Sequence, residues 1–215
     1  MKTALIGAGS VAFSRRLIGD LLCMDGVTPD CLALMDIHPG RLELAGQFAQ
    51  RAIEASGRQV ELLVTEDTRA AVEGADYVII SIRGGCWEPR PLDIGIPLRY
   101  GVNQRVGDTI GPGGIFQGLR NVPDLAVIAG HLREVAPRAL VLNHSNPMAI
   151  NCWTWSVAWP DIRHVGLCHS VQGTAEQLAA YLDIPAPDLD YWVAGINHMA
   201  WFLRLERKGE DLYPL

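Results

Sequence analysis

Cys168 and His198 are side chains that could hold a metal or could be core residues. Cys168 stands in GLCHSVQGT at the end of a short apolar run, and His198 follows thirty positions later in GINHMAWF. Thiolate and imidazole are soft donors, so as chemistry alone the pair favours zinc or iron over manganese. Two protein ligands would leave coordination positions open for a substrate, as a catalytic metal requires. The spacing itself carries little information, because the ligand pairs of zinc fingers lie close in sequence. A buried cysteine and a hydrogen-bonded core histidine account for the same letters. Cys23, Cys31, Cys86 and Cys152 are read as packing residues.

A second chemistry is written at the N-terminus. TALIGAGSVAF reads as a strand, a turn with Gly7-x-Gly9-x-x-Ala12, and a helix. In a dinucleotide-binding turn the first glycine permits the tight bend and the second lets the backbone approach a pyrophosphate. The third position must be small so that helix and strand can pack. Ser10, at the helix start, offers free N–H groups and the positive end of the helix dipole to the phosphates. The next strand, CLALMD, ends in Asp36, a carboxylate placed to accept hydrogen bonds from an adenosine ribose and to repel a 2′-phosphate, which favours NAD over NADP. Asp36 lies 29 positions after Gly7, beyond the roughly 20 of the common pattern, so the first crossover is enlarged. Without a ligand, the same letters describe a tight turn and a solvated strand end.

These groups need a scaffold that gathers strand ends. Short apolar runs at Thr3–Ile6, Cys31–Met35, Val60–Val64, Tyr77–Ser81, Leu140–Leu142 and His164–Leu167 alternate with helical patterns. The helices are read at Ser10–Cys23, Arg41–Ala55, Leu119–Val135, Ala149–Ala158 and Ala175–Leu182. Helix-length crossovers between strands predict an α/β fold with a doubly wound, Rossmann-type parallel sheet. Ligands of such sheets bind beyond the carboxyl ends of the strands. There the chain carries RGGCWEPR (Arg83 to Arg90), NHSNP (Asn143 to Pro147) and Cys168–His169. Pro147 can open the following helix, with Asn146 as its cap. Trp153, Trp155 and Trp159 could stack on sugar faces, but their helical spacing suits core or interface. The segment 83–116 is rich in Gly and Pro and weakly periodic, and is read as a long functional loop. The last residues, LRLERKGEDLYPL, begin like a strand and stop. The expected organisation is an NAD-binding domain over residues 1–190 and the beginning of a C-terminal substrate and oligomerisation domain over 191–215, its remainder absent.

Composition narrows the partners. The 215 residues are 49% hydrophobic and 20% charged, with a formal charge of −6, which disfavours nucleic acid and anionic membranes. No apolar run approaches the about 18 residues of a membrane span. Five irregularly spaced cysteines do not form a disulfide framework, and a reducing, cytoplasmic location is expected.

Taken together the motifs resemble glycoside hydrolase family 4. The resemblance rests on GAGSVAF, MDIHPGRL, DTIGPGGIFQGLR, NHSNPMAIN, VGLCHSVQGTAEQLA and AGINHMAWFLRLER, which run in the family's order along the chain. The Cys-His-Ser-Val form with Gln172-Gly173-Thr174 looks most like the branch of α-galactosidases acting on unphosphorylated sugars. The resemblance implies an NAD- and Mn²⁺-dependent enzyme outside the two-carboxylate scheme of most glycosidases. Hydride is removed from C3 of the sugar, the C2 proton is taken by a base, the glycosidic oxygen leaves, water adds to C1 and the hydride returns. It further implies Cys168 and His198 as metal ligands, against the softness argument. Asn146 is implied to bind sugar hydroxyls beside the metal and Asn143 to lie near the nicotinamide. Gly7, Gly9, Ser10, Phe13 and Asp36 are implied to hold the cofactor, and Arg90 and Asp108 to contact substrate. His169 stands where phospho-glycosidases carry the proposed leaving-group acid, and imidazole can donate a proton near neutral pH. The expected partner is a small α-glycoside, and the full-length protein is expected to be a homo-oligomer, dimer or tetramer. Family members are about twice as long and keep their base in the second half, so residues 1–215 alone are expected to show little turnover. Alternatives from the same fold are an NAD-dependent hydroxyacid dehydrogenase and a non-catalytic NAD-binding fragment.

Overall fold

The computed structural model describes residues 1–104, 107 and 109–213, apart from the side chains of Val11 and Ala12. The chain divides into two compact units, Met1–Gly166 and Leu167–Leu215.

The first unit is built on β1 (Lys2–Ile6), β2 (Cys31–Met35), β3 (Glu61–Thr65), β4 (Tyr77–Ile80), β5 (Leu140–Asn143) and β6 (His164–Gly166). They pair in parallel in the order β3-β2-β1-β4-β5-β6, the doubly wound arrangement that the alternating pattern predicts. Strands buried on both faces need apolar residues throughout, and alternate side chains serve opposite layers. Leu5, Leu32, Leu34 and Ile79 face α1 (Val11–Cys23) and α2 (Pro39–Ser56), meeting Ile18, Leu22, Leu42 and Ala49. Ala4, Ile6, Met35, Val78, Ile80 and Val141 face the other layer. There they meet Val72 of α3 (Thr68–Val72), Leu125 and Leu132 of α5 (Gly111–Val135), and Trp155 of α6 (Met148–Ala158). Trp155 is wholly buried and edge-on to Trp159, so of the three tryptophans it is core, while Trp153 is exposed.

Register positions the site. Ile6 pairs with Met35 and Ile80, and Ile80 with Asn143. The residues that leave these strands, Gly7, Asp36, Ser81 and His144, therefore emerge side by side along one edge of the sheet.

The segment read as a loop is in part helical. It holds α4 (Arg90–Arg99) and the first turns of α5, which starts at Gly111 rather than near Leu119. Pro112 occupies the first turn of α5, where no N–H is required, and Pro123 is tolerated inside the helix. Two of its glycines are packing residues: a Cβ on Gly118 would stand 2.9 Å from the Ile150 side chain, and one on Gly114 2.7 Å from the Thr109 backbone. Close approach overrides low helix propensity there.

The second unit comprises α7 (Ser170–Tyr181), a short 3₁₀ turn at Ala186–Asp188, and the antiparallel strands β7 (Asp190–Ile196), β8 (Met199–Arg207) and β9 (Glu210–Asp211). Ala175, Ala179, Leu189, Leu205 and Leu212 form its core. β7 and β8 join through Asn197–His198, and His198 takes φ +62°. Two-residue hairpin turns demand positive φ, and here a histidine supplies it in place of the usual glycine.

Candidate functional site

The first unit contains a cleft of about 600 Å³ at the carboxyl edge of its sheet, lined by Gly7, Gly9, Ser10, Asp36, Ser145 and Asn146 among others. Gly7 has φ +89°, and a Cβ on it would overlap the Ser81 carbonyl. The Gly7 and Ala8 N–H groups both donate to the Met35 carbonyl at 2.9 Å, which folds the turn back over β2. Asp36 is 8% exposed. Its Oδ2 accepts the Gly9 N–H at 2.7 Å and its Oδ1 the His38 N–H at 2.9 Å. A Cβ on Gly9 would stand 2.7 Å from that Oδ2 and 2.9 Å from Arg41 Cβ. The second glycine thus admits the carboxylate as well as any phosphate. Each carboxylate oxygen keeps a lone pair for a ribose hydroxyl. The glycine cradle, the buried acid and the start of α1 at Val11 fit a dinucleotide.

Asn146 does not cap α6. The helix begins at Met148 with Pro147 in the capping position and no side-chain cap, and the Asn146–Pro147 peptide is cis. Asn146 lines the cleft, and its Oδ1 is buried without a hydrogen-bond partner, an acceptor left for a ligand. Asn143 is wholly buried: its Nδ2 donates to the Ser145 carbonyl at 3.2 Å and its Oδ1 accepts the Ser145 N–H at 3.3 Å. Phe13 stands edge-on to His144, ring centroids 4.8 Å apart. Arg90 opens α4 and lies over the Trp87 ring at 5.2 Å, with Arg83 over the same ring at 4.8 Å. Among the described residues Phe13, Asn143 and Arg90 are not part of the cleft lining. Asp108 lies outside the described residues.

The cleft also holds residues that sequence reasoning passed over. Cys86, read as packing, lines it with its Sγ 3.6 Å from His38 Nε2. The two are 48 positions apart, and no spacing rule links them. Trp87 and His144 also line it; both sit in quoted strand-end motifs, and that position was the available signal.

The second unit brings Cys168 and His198 together. Cys168 precedes α7, and its Sγ is 3.5 Å from His198 Nε2 at the hairpin turn. Ligands roughly 2.0–2.3 Å from a shared ion stand about that far apart, so the pair fits a metal. Burial pushes the Cys168 thiol up, but hydrogen bonds from Ser170, Asn197 and the His169 backbone outweigh it and hold the thiol below its usual range. The thiolate is the ligating form. His169 is exposed at the N-cap of α7 and makes no side-chain cap bond. Among the described residues no three His, Cys, Asp or Glu side chains are grouped as a metal cage, so other donors would have to complete the shell. All five cysteines are unpaired thiols. No helix among the described residues is long and apolar enough to cross a membrane.

Residues 2–184 match the sequence model of the family 4 glycosyl hydrolases, and residues 193–215 that of the family's C-terminal domain. An α-galactosidase of Rhizobium meliloti is 42% identical over 98% of this chain and 43% of its own length. An α-galactosidase of Bacillus subtilis is 37% identical over 99% of this chain and 49% of its own length. A solved 6-phospho-α-glucosidase from gut microorganisms, in complex with NAD and Mn²⁺, superposes with a TM-score of 0.88 at 27% identity, covering 99% of this chain and 49% of that one. The chain spans about half the length of the curated relatives it matches.

Proposed function

The chain belongs to glycosyl hydrolase family 4, and on that premise we propose that it carries the cofactor- and metal-binding part of an NAD- and Mn²⁺-dependent α-galactosidase acting on unphosphorylated sugars. The observation that carries the proposal is the convergence of Cys168 Sγ and His198 Nε2 to 3.5 Å. Hydride exchange between NAD and a hydroxy acid does not require such a pair. Relatives named as α-galactosidases support the choice of sugar. The neighbour that holds NAD and Mn²⁺ supports the choice of cofactors, over the zinc or iron that donor softness alone favours.

When bound, NAD supplies a temporary hydride acceptor at C3 and the cation supplies positive charge beside the sugar oxygens, so that elimination, water addition and return of the hydride replace a two-carboxylate displacement. The chain's own residues bind and orient. The Gly7–Ser10 turn receives the pyrophosphate, and Asp36 holds the adenosine ribose. Asn143 stands behind the nicotinamide end, with Phe13 beside the turn. Asn146 offers its unpartnered Oδ1 to sugar hydroxyls, and Arg90 and Asp108 contact the sugar. Cys168 and His198 hold the cation. His169 gives its proton to the departing glycosidic oxygen. Residues 191–215 begin the substrate and oligomerisation domain, and the assembled protein is a homo-oligomer. The free thiols support a reducing, cytoplasmic setting.

The test is hydrolysis of p-nitrophenyl α-galactoside by the complete gene product, with NAD⁺, Mn²⁺ and a thiol reductant omitted in turn. Activity is expected only with all three, and without net NADH release. Hydrolysis that survives removal of NAD⁺ would sink the proposal.

A further inference from the structure

Behind the cleft lies a knot of wholly buried carboxamides, Gln117 and Asn121 of α5 and Asn151 of α6. Asn121 is its centre. Its Oδ1 accepts the Gly84 N–H at 2.9 Å and Gln117 Nε2 at 2.8 Å. Its Nδ2 donates to the Asn146 main-chain carbonyl at 2.8 Å and to Asn151 Oδ1 at 3.3 Å. All four bonding positions of the amide are thereby used. Its orientation follows from the main chain: Gly84 can only donate and the Asn146 carbonyl can only accept, so reversing the amide would break both bonds.

The two main-chain partners belong to different walls of the cleft. Gly84 follows the end of β4, beside Arg83, and Asn146 follows the end of β5; Arg83 and Asn146 both line the cleft. Gly84 is pressed onto α5: a Cβ there would stand 2.6 Å from the Arg120 carbonyl carbon and 2.8 Å from the Asn121 nitrogen. The Asn146 backbone is held from behind by Asn121, while its own Oδ1 is buried without a partner. A fully satisfied buried network of this kind is rigid, and removing one member strands the others.

We propose that Asn121 is a positioning residue for the cofactor. It ties the wall after β4 to the wall after β5, and so sets the Asn146 side of the cleft before a ligand arrives. The inference rests on the reading of the cleft as an NAD site. On that reading Asp36 serves the adenosine half, and the β5 end serves the half that carries nicotinamide ribose.

The test uses Asn121→Asp. The carboxylate keeps an acceptor for Gly84 and Gln117 but sets oxygen against the Asn146 carbonyl and Asn151 Oδ1, so it releases one wall selectively. Calorimetry on the 215-residue chain would compare NAD⁺ with ADP, which lacks the nicotinamide ribose. The expected result is an about tenfold or greater loss of NAD⁺ affinity with ADP affinity within about twofold of wild type. Equal weakening of both ligands would mean a merely structural role and overturn the proposal, as would unchanged NAD⁺ binding. Should the aspartate variant not fold, Asn121→Ser, which is neutral and too short to reach Asn146, is read by the same two ligands. A wild-type chain that binds neither ligand would instead overturn the NAD reading itself, an outcome separate from any difference between variants.

Discussion

Asp36 shows how one carboxylate can brace the fold and, on the proposed reading, receive the ligand. It braces the glycine turn through the Gly9 and His38 N–H groups and faces the cleft. Hydrogen bonds to a charged acceptor contribute about 1.5–3 kcal/mol each. Asp36→Asn is therefore expected to weaken NAD⁺ binding about tenfold to a hundredfold and to narrow the preference over NADP⁺, both read by calorimetry. An affinity within twofold of wild type would remove Asp36 from the cofactor site. The thiols form a second case. Hydrogen bonds hold the Cys168 thiol low against the opposing effect of burial, whereas burial raises Cys31 and Cys152. A thiol lowered by folding contributes stability above its unfolded pKa, and that contribution is lost as the pH falls through the lowered value. The raised thiols behave oppositely, and folding loses stability as the pH climbs past their ordinary value. Because only the thiolate reacts, iodoacetamide should alkylate Cys168 several-fold faster than Cys31 or Cys152 near neutral pH, with the advantage shrinking as pH rises. Peptide mass spectrometry over a time course reads this, and equal rates would contradict the environment described for Cys168.

At the scale of elements, the decisive feature is the turn between β1 and α1. Gly7 combines φ +89° with a Cβ position already filled by the Ser81 carbonyl, so a side chain must move the backbone that follows β1 or β4. Residues forced into such conformations cost about 1–3 kcal/mol, and the overlap adds to that. Gly7→Ala should lower the thermal midpoint by several degrees and abolish measurable NAD⁺ binding. A stable variant that binds NAD⁺ normally would show that the turn relaxes more readily than its contacts imply. The β7–β8 hairpin has a comparable role in the second unit. It carries His198 on a two-residue turn, so the register of two strands decides whether the imidazole reaches Cys168. The hairpin was legible in principle, because DYWVAGI and MAWFLRLER are rich in aromatic and branched residues. Its turn lacks the usual glycine signal, which hid it. Helix α4 and the first turns of α5, before Leu119, were hidden for the opposite reason: their Gly and Pro imitate a loop.

At the scale of the whole molecule, each unit carries its own candidate site, a cleft that fits a dinucleotide in Met1–Gly166 and the Cys168–His198 pair in Leu167–Leu215. Residues 1–215 by themselves are expected to bind NAD⁺ and to hydrolyse p-nitrophenyl α-galactoside little or not at all. Appreciable turnover would place the catalytic base within this chain. The alternation of apolar runs and helical patterns was sufficient, read alone, for the parallel sheet and its winding, because burial on both faces leaves few other solutions for such strands. The glycine turn and Asp36 were equally legible, since a tight turn and a strand-end acid depend on local geometry. No spacing in the sequence shows that Cys168 and His198 meet, which only the resemblance implied, and tertiary structure alone decided that Cys86 meets His38 at the cleft and that Asn121 joins two of its walls. Contacts between residues 25 to 48 positions apart depend on register and packing, which no local pattern encodes.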